Sequence, residues 1–151
     1  MPEAWRIVKA KHAATAFTGE GAAKTGGRWN SRGVAVIYAS ATKSLATLES
    51  LVHLNPPMLF NYVIFRLKFD DALIENFPMK NLPTDWRTQP PPPSTKGIGD
   101  AWVRAARSAL LALPSVISGE TNYLINPAHP DFRKINISKS ESFVFDSRLL
   151  T

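Results

Sequence analysis

Apolar residues in this chain alternate with period two in some stretches and recur at helical spacing in others, and the contrast divides it into elements. In residues 34–40, VAVIYAS, both alternating sets are apolar: Val34, Val36 and Tyr38 on one side, Ala35, Ile37 and Ala39 on the other. That pattern predicts a strand buried on both faces. Residues 61–69, NYVIFRLKF, begin in the same way and then carry Arg66 and Lys68 opposite Leu67 and Phe69, as a half-exposed strand would. A shorter strand is expected over 4–9. Between the two stronger strands, Leu45, Leu48, Leu51 and Val52 predict a helix over 42–54, capped by Thr42 or Ser40 and stopped by Pro56 and Pro57. A second helix is expected over 101–111 with Asp100 as its N-cap, a stripe of Trp102, Ala106, Ala109 and Leu113, and Pro114 at its end. Short apolar pieces follow at 115–117, 122–125 and 142–145, punctuated by turns at Asn126-Pro127 and His129-Pro130. Several short strands with two helices predict an α+β domain built on a short mixed sheet.

Only residues 77–97 interrupt this pattern. They hold the proline run 90–93, and proline neither donates to a ladder nor sits inside a helix. The stretch is too short to separate independent domains, so it is expected as a surface loop within one domain spanning 1–151. The composition agrees with a folded domain, since 20% charged and 10% aromatic residues are ordinary globular values. The absence of cysteine excludes disulfides, thiolate catalysis and cysteine-ligated zinc. No apolar run approaches the roughly 20 residues that span a bilayer, and the N-terminus has no signal-peptide core, so no membrane association and a cytoplasmic location are expected. The net charge of +6 suits an anionic ligand, a nucleic acid or an acidic partner without choosing among them.

Candidate chemistry gathers in a few places. The loop Gly26-Gly27-Arg28-Trp29-Asn30-Ser31-Arg32-Gly33 lets the backbone approach a ligand closely, and its arginines suit paired phosphate oxygens, although neither familiar phosphate-binding fingerprint is present. Glu49 falls on the apolar side of the first helix, where a carboxylate needs a partner or a cleft. Tyr38 ends the central strand. Ser115 lacks the context of a nucleophile elbow. His12, His53 and His129 have no metal-ligand spacing, so no metal is expected.

Taken in order, these residues resemble the RES domain, the toxin half of bacterial RES–Xre toxin–antitoxin pairs. The resemblance runs through Trp5-Arg6, Gly27-Arg28-Trp29-Asn30 with Gly33, Tyr38-Ala39-Ser40 and Leu48-Glu49. It resumes at Gly99-Asp100 with Trp102, then Leu113-Pro114-Ser115, and closes with Asn122-Tyr123-Leu124-Ile125-Asn126-Pro127 and His129-Pro130. The arginine, glutamate and serine that name the family match Arg28, Glu49 and Ser115.

The resemblance implies a fold similar to ADP-ribosyltransferase toxins and an enzyme acting on NAD⁺, with NAD⁺ as substrate and no further cofactor. It implies a toxin that cleaves the nicotinamide–ribose bond and depletes NAD⁺ by hydrolysis or phosphorolysis. Glu49 would stabilise the ribose charge, Arg28 would clamp the pyrophosphate with Arg6 as a second cation, and Tyr38 would stack on nicotinamide. Ser115 and Asn126 would lend hydrogen-bonding support. The implied partner is a helix-turn-helix antitoxin of the Xre type in a hetero-oligomer, with DNA reached only through it. Two alternatives accompany this expectation: a mono-ADP-ribosyltransferase of a specific host protein, and a basic nucleic-acid-binding or ribonuclease toxin.

Overall fold

The computed structural model describes residues 1–53 and 61–150. Its centre is a mixed sheet, and the strong apolar alternations supply its middle strands. They are β1 (Glu3–Lys9), β2 (Ile37–Ser40) and β3 (Tyr62–Lys68). The other strands are β4 (Ile74–Asn76), β5 (Leu110–Pro114), β6 (Thr121–Ile125), β7 (Asn136–Ile137) and β8 (Glu141–Phe143). The order across the sheet is β4-β5-β6-β2-β1-β3-β7, with β8 also on β3, and every pairing is antiparallel except β4 with β5. Among the described residues, three α-helices join them: α1 (Glu20–Thr25), α2 (Lys43–Leu51) and α3 (Pro93–Ala105).

Because successive strand residues point to opposite faces, the sheet separates two apolar clusters. Ile37, Ala39, Leu110, Tyr123 and Ile125 join Phe65, Leu67 and Phe69 on one face. Val36, Leu111, Leu113 and Leu124 meet Trp29 and Trp102 on the other. The second cluster thus fastens both α3 and the glycine-rich loop to the sheet.

The first helix follows its expected cap, since the Thr42 side chain accepts from the Leu45 amide at 3.0 Å. Its expected last residue, Leu54, and its stop at Pro56 and Pro57 lie outside the described residues. Its faces differ from the expected stripe. Leu45 and Ala46 are buried, whereas Leu48 and Val52 are 40% and 62% exposed. Ala46, Glu49, Ser50 and His53 are the residues turned to the sheet-side cleft, because α2 meets β1 and β2 along only one narrow edge of its surface.

The second helix departs further. It starts at Pro93 rather than at residue 101 and ends at Ala105, where Ala106 adopts a left-handed φ of 52°. Proline is compatible with a first helical turn, since the N–H it lacks has no acceptor there. Asp100 lies inside the helix and is not its cap. Its carboxylate accepts instead from the Ser31 amide at 2.9 Å and the Ser31 hydroxyl at 2.5 Å. The expected stripe stops at Trp102, because Ala109 and Leu113 belong to the approach and body of β5. The surface loop expected over 77–97 therefore ends in a helix, and Pro92 and Thr95 within it are buried.

Gly99 marks the closest contact between α3 and the glycine-rich loop. A Cβ there would stand 1.6 Å from the Trp29 carbonyl oxygen. Backbone cannot swing aside as a side chain does, so Gly99→Ala is expected to cost about 3 kcal/mol. A thermal melt should read this as a Tm lower by roughly 6–12 °C. An unchanged Tm would show that the helix can shift without penalty.

Candidate active site

Strand β1 pairs with β3 at seven successive positions but with β2 only at Trp5–Ser40. Past that point β1 and β2 splay apart, and the wedge between them opens into a cavity of about 350 Å³. That size is within the range of small-molecule sites. Trp5, Arg6, Tyr38, Ser40, Glu49 and Asn122 are among the residues that line it.

Arg6 occupies the throat of the wedge. Its Nε donates to the Ala16 carbonyl at 2.8 Å and its Nη1 to the Tyr38 carbonyl at 2.9 Å. Its acceptors among the described residues are carbonyls alone, with the Phe17 ring 5.9 Å from the guanidinium. Burial lowers its pKa to about 10. A cation held this deep by neutral acceptors is poised for an anion.

Arg28, expected in the site, is not among the residues that line this cavity; it stands on the neighbouring glycine-rich loop. Its Nη1 donates to the carbonyls of Trp86 and Thr88, both at 2.9 Å. Burial lowers its pKa, and the charge of Glu49 acts in the opposite direction, so the two residues share one electrostatic neighbourhood. The loop that carries Arg28 is fastened at several points. Lys96 Nζ donates to the Gly27 carbonyl at 2.8 Å, Asp100 holds Ser31, and the buried Asn30 amide donates to the Ala22 and Val34 carbonyls.

The Tyr38 hydroxyl donates to Asn30 Oδ1 at 2.6 Å and accepts from the Trp29 amide at 3.1 Å. Its pKa is pushed up, first by burial, so it remains a phenol and is no base at neutral pH. Gly27 is required beneath it, since a Cβ there would come within 2.6 Å of that hydroxyl. Tyr38 lines the cleft, where its carbonyl accepts from Arg6. Tyr38→Phe keeps the ring but strips a partner from the buried Asn30 carbonyl, at an expected cost of about 1–3 kcal/mol. Urea denaturation measures this, and an unchanged midpoint would mean that Asn30 finds another donor.

Glu49 reaches the wedge from α2, where its Oε2 accepts from Asn122 Nδ2 at 2.8 Å. Asn122 Oδ1 in turn accepts from the Ser40 hydroxyl at 2.7 Å. Sequence reasoning gave Ser40 and Asn122 no part in the site. The two stand 82 residues apart, and only their register across β2 and β6 pairs them.

Ser115 and Asn126 do not line the cleft. Ser115 follows β5 and does not begin a strand. Its hydroxyl accepts from the amides of Ile117 and Ser118 at 3.0 and 3.4 Å, which closes the turn into β6. Asn126 Oδ1 accepts from the Ala128 amide at 3.0 Å in a similar local turn. Among the described residues, no group of three His, Asp or Glu side chains could hold a metal ion, and no helix is long and apolar enough to cross a membrane.

The molecule is thus an α+β domain whose sheet opens between two strands into a cleft with an arginine at its throat and a braced glutamate above. The chain belongs to the family described as the RES domain, whose sequence model matches residues 3–146. It is 39% identical over 153 residues to the Prs ADP-ribosylating toxin of a Sphingobium species, a match covering 97% of this chain and 95% of that protein. It is 38% identical over 148 residues to Toxin Res of Yersinia enterocolitica, covering 96% and 97%. Its fold is similar to a chain in the crystal structure of the M. tuberculosis MbcT–MbcA toxin–antitoxin complex, with a TM-score of 0.77 and 18% identity over 94% of this chain and 84% of that one.

Proposed function

We propose that this chain is the toxin of a toxin–antitoxin pair and that its reaction breaks the nicotinamide–ribose bond of NAD⁺. The observation that carries the reading is the wedge between β1 and β2, which combines the Glu49 carboxylate with the buried Arg6 guanidinium in a ligand-sized cavity, with Arg28 on a neighbouring loop within electrostatic reach of Glu49. Cleavage sends the bonding electron pair onto the nicotinamide nitrogen, so a cationic group leaves as a neutral one and needs no acid. Positive charge is left on the ribose, as in glycoside cleavage. Glu49 meets that charge through the carboxylate oxygen that Asn122 leaves free, and holds the 2′-hydroxyl. Arg6 and Arg28 hold the pyrophosphate, and the Tyr38 ring stacks on nicotinamide. Ser115 acts indirectly, by shaping the turn that leads into β6. The oxygen of an acceptor then bonds to the ribose carbon and loses its proton.

With water or phosphate as acceptor the cell loses its NAD⁺. A second reading makes the acceptor a protein side chain, and the name of the Sphingobium relative favours it. The partner in either case is a cognate helix-turn-helix antitoxin, and the site of action is the cytoplasm. The likeness to a chain of a toxin–antitoxin complex supports a protein partner. Incubating the purified chain with NAD⁺ and resolving the products tests the reading. Nicotinamide with ADP-ribose means hydrolysis, and a phosphate-dependent ribosyl phosphate means phosphorolysis. Label fixed in lysate protein means transfer. Intact NAD⁺ under all three conditions would overturn the proposal.

A further inference from the structure

We infer that Asn122 is the positioning residue of the Glu49 carboxylate: its amide, oriented by Ser40, pins Oε2 so that Oε1 faces the cleft. The inference rests on the proposed role of Glu49. Glutamate leaves a helix on a long, rotatable stem, and α2 alone does not select the rotamer that enters the wedge. Asn122 is the hydrogen-bond donor to Glu49 among the described residues, at 2.8 Å.

The direction of the chain follows from the groups themselves. An ionised carboxylate only accepts, so the Asn122 amide must turn its nitrogen to Glu49 and its oxygen to Ser40. The Ser40 hydroxyl then has to donate, and it does so at 2.7 Å. Ser40 is 4% exposed, which keeps water from competing for that bond. Ser40 and Asn122 are also cross-strand partners on β2 and β6. The brace is therefore mounted on the sheet, and the group it holds comes from a helix that touches the sheet along one edge. A site set on rigid elements and supported from behind keeps its reacting group in one geometry.

Other charged or titratable groups face the same space. They are Arg6 and Lys9 of β1, Tyr38 of β2, Tyr62 of β3 and His53 just past α2, while Arg28 on the glycine-rich loop lies within electrostatic reach. Among the described residues, Asn122 contacts Glu49 by a hydrogen bond and is itself held by a second side chain.

The test measures kcat and KM for NAD⁺ against pH in the full-length wild type and in Asn122→Ala, Asn122→Asp and Ser40→Ala. Asn122→Ala should lower kcat by about 10- to 100-fold, the factor expected for one hydrogen bond to a charged group. Its KM should stay within about twofold of wild type, because the pyrophosphate contacts are untouched. Asn122→Asp preserves the shape but sets a second carboxylate against the first, and two carboxylates that close share a proton. Its turnover should therefore acquire a pH dependence that Asn122→Ala does not show. Ser40→Ala should lower kcat less than Asn122→Ala, since the amide is then free to turn.

A purely structural Asn122 would lower Tm while the folded fraction kept the wild-type kcat and pH profile, and that result overturns the inference. Should Asn122→Ala fail to fold, the Asn122→Asp pH profile decides alone. A wild type that leaves NAD⁺ intact overturns the functional reading together with this inference. An active wild type beside an Asn122→Ala with unaltered kcat overturns the inference only.

Discussion

Glu49→Gln is expected to leave the protein folded and to lower NAD⁺ turnover by roughly 10²–10³, the scale of losing one electrostatic stabiliser of a transition state. The fold survives because glutamine keeps a carbonyl oxygen where Asn122 Nδ2 now donates to Glu49 at 2.8 Å. The negative charge is what disappears, and on the proposed reaction that charge answers the one building on the ribose. The effect should carry into cells. Expression of the wild type without a partner should lower NAD⁺ before growth slows, and the variant should accumulate without either change. Near wild-type NAD⁺ loss by Glu49→Gln would remove this residue from the chemistry. Arrest by the wild type with NAD⁺ unchanged would instead point to modification of a specific protein.

Arg28→Lys separates binding from chemistry. The Arg28 guanidinium spends Nη1 on the carbonyls of Trp86 and Thr88, both at 2.9 Å, and still has Nε and Nη2 to present to an anion. A lysine keeps the charge, but a single ammonium cannot bridge two carbonyls and also offer a planar fork to paired phosphate oxygens. NAD⁺ binding is expected to weaken by about 1.5–3 kcal/mol, a rise in Kd of roughly 10- to 150-fold. Titration calorimetry on the purified variant measures it. Unchanged affinity would leave Arg28 as an anchor for the segment around Trp86 and nothing more.

That anchoring gives the proline-rich stretch a place in the molecule that its composition concealed. As a chain of breakers, 77–97 is expected to be a surface excursion. In the structure it delivers two main-chain carbonyls to Arg28, then turns at Pro92 and Pro93 into α3. Asp100 misled for a related reason. A short acidic residue ahead of an apolar run is a common helix start, but its two oxygens are taken by Ser31, 69 residues earlier in the chain. Gly97 and Gly99 also lower local helix propensity. Gly99 is nevertheless required in the helix, because Trp29 passes against it.

The strands of the sheet's centre were legible because period-two burial is a local property. The apolar positions of 4–9, 34–40, 61–69 and 122–125 carry it within a few residues, and Thr42 caps α2 through an amide only three residues away. The ordered set Arg6, Arg28, Tyr38, Glu49 and Ser115 was legible in the same linear sense, as a succession of motifs that matches one family. Neither kind of signal contains distance in space. Whether β1 stays paired with β2 or splays from it depends on which strands flank them and on the single Trp5–Ser40 register. That splay creates the cleft, seats Arg6 at its throat and admits Glu49 from above. It also leaves Ser115 and Asn126 outside, serving turns, while Ser40 and Asn122 meet across the sheet. Burial patterns and caps are set by neighbours in sequence, so the chain by itself marked the central strands and the candidate side chains, while β5, expected as the end of a helix, took its place from its partners β4 and β6. Which of those side chains share a cleft was decided by long-range strand pairing, which no local pattern encodes.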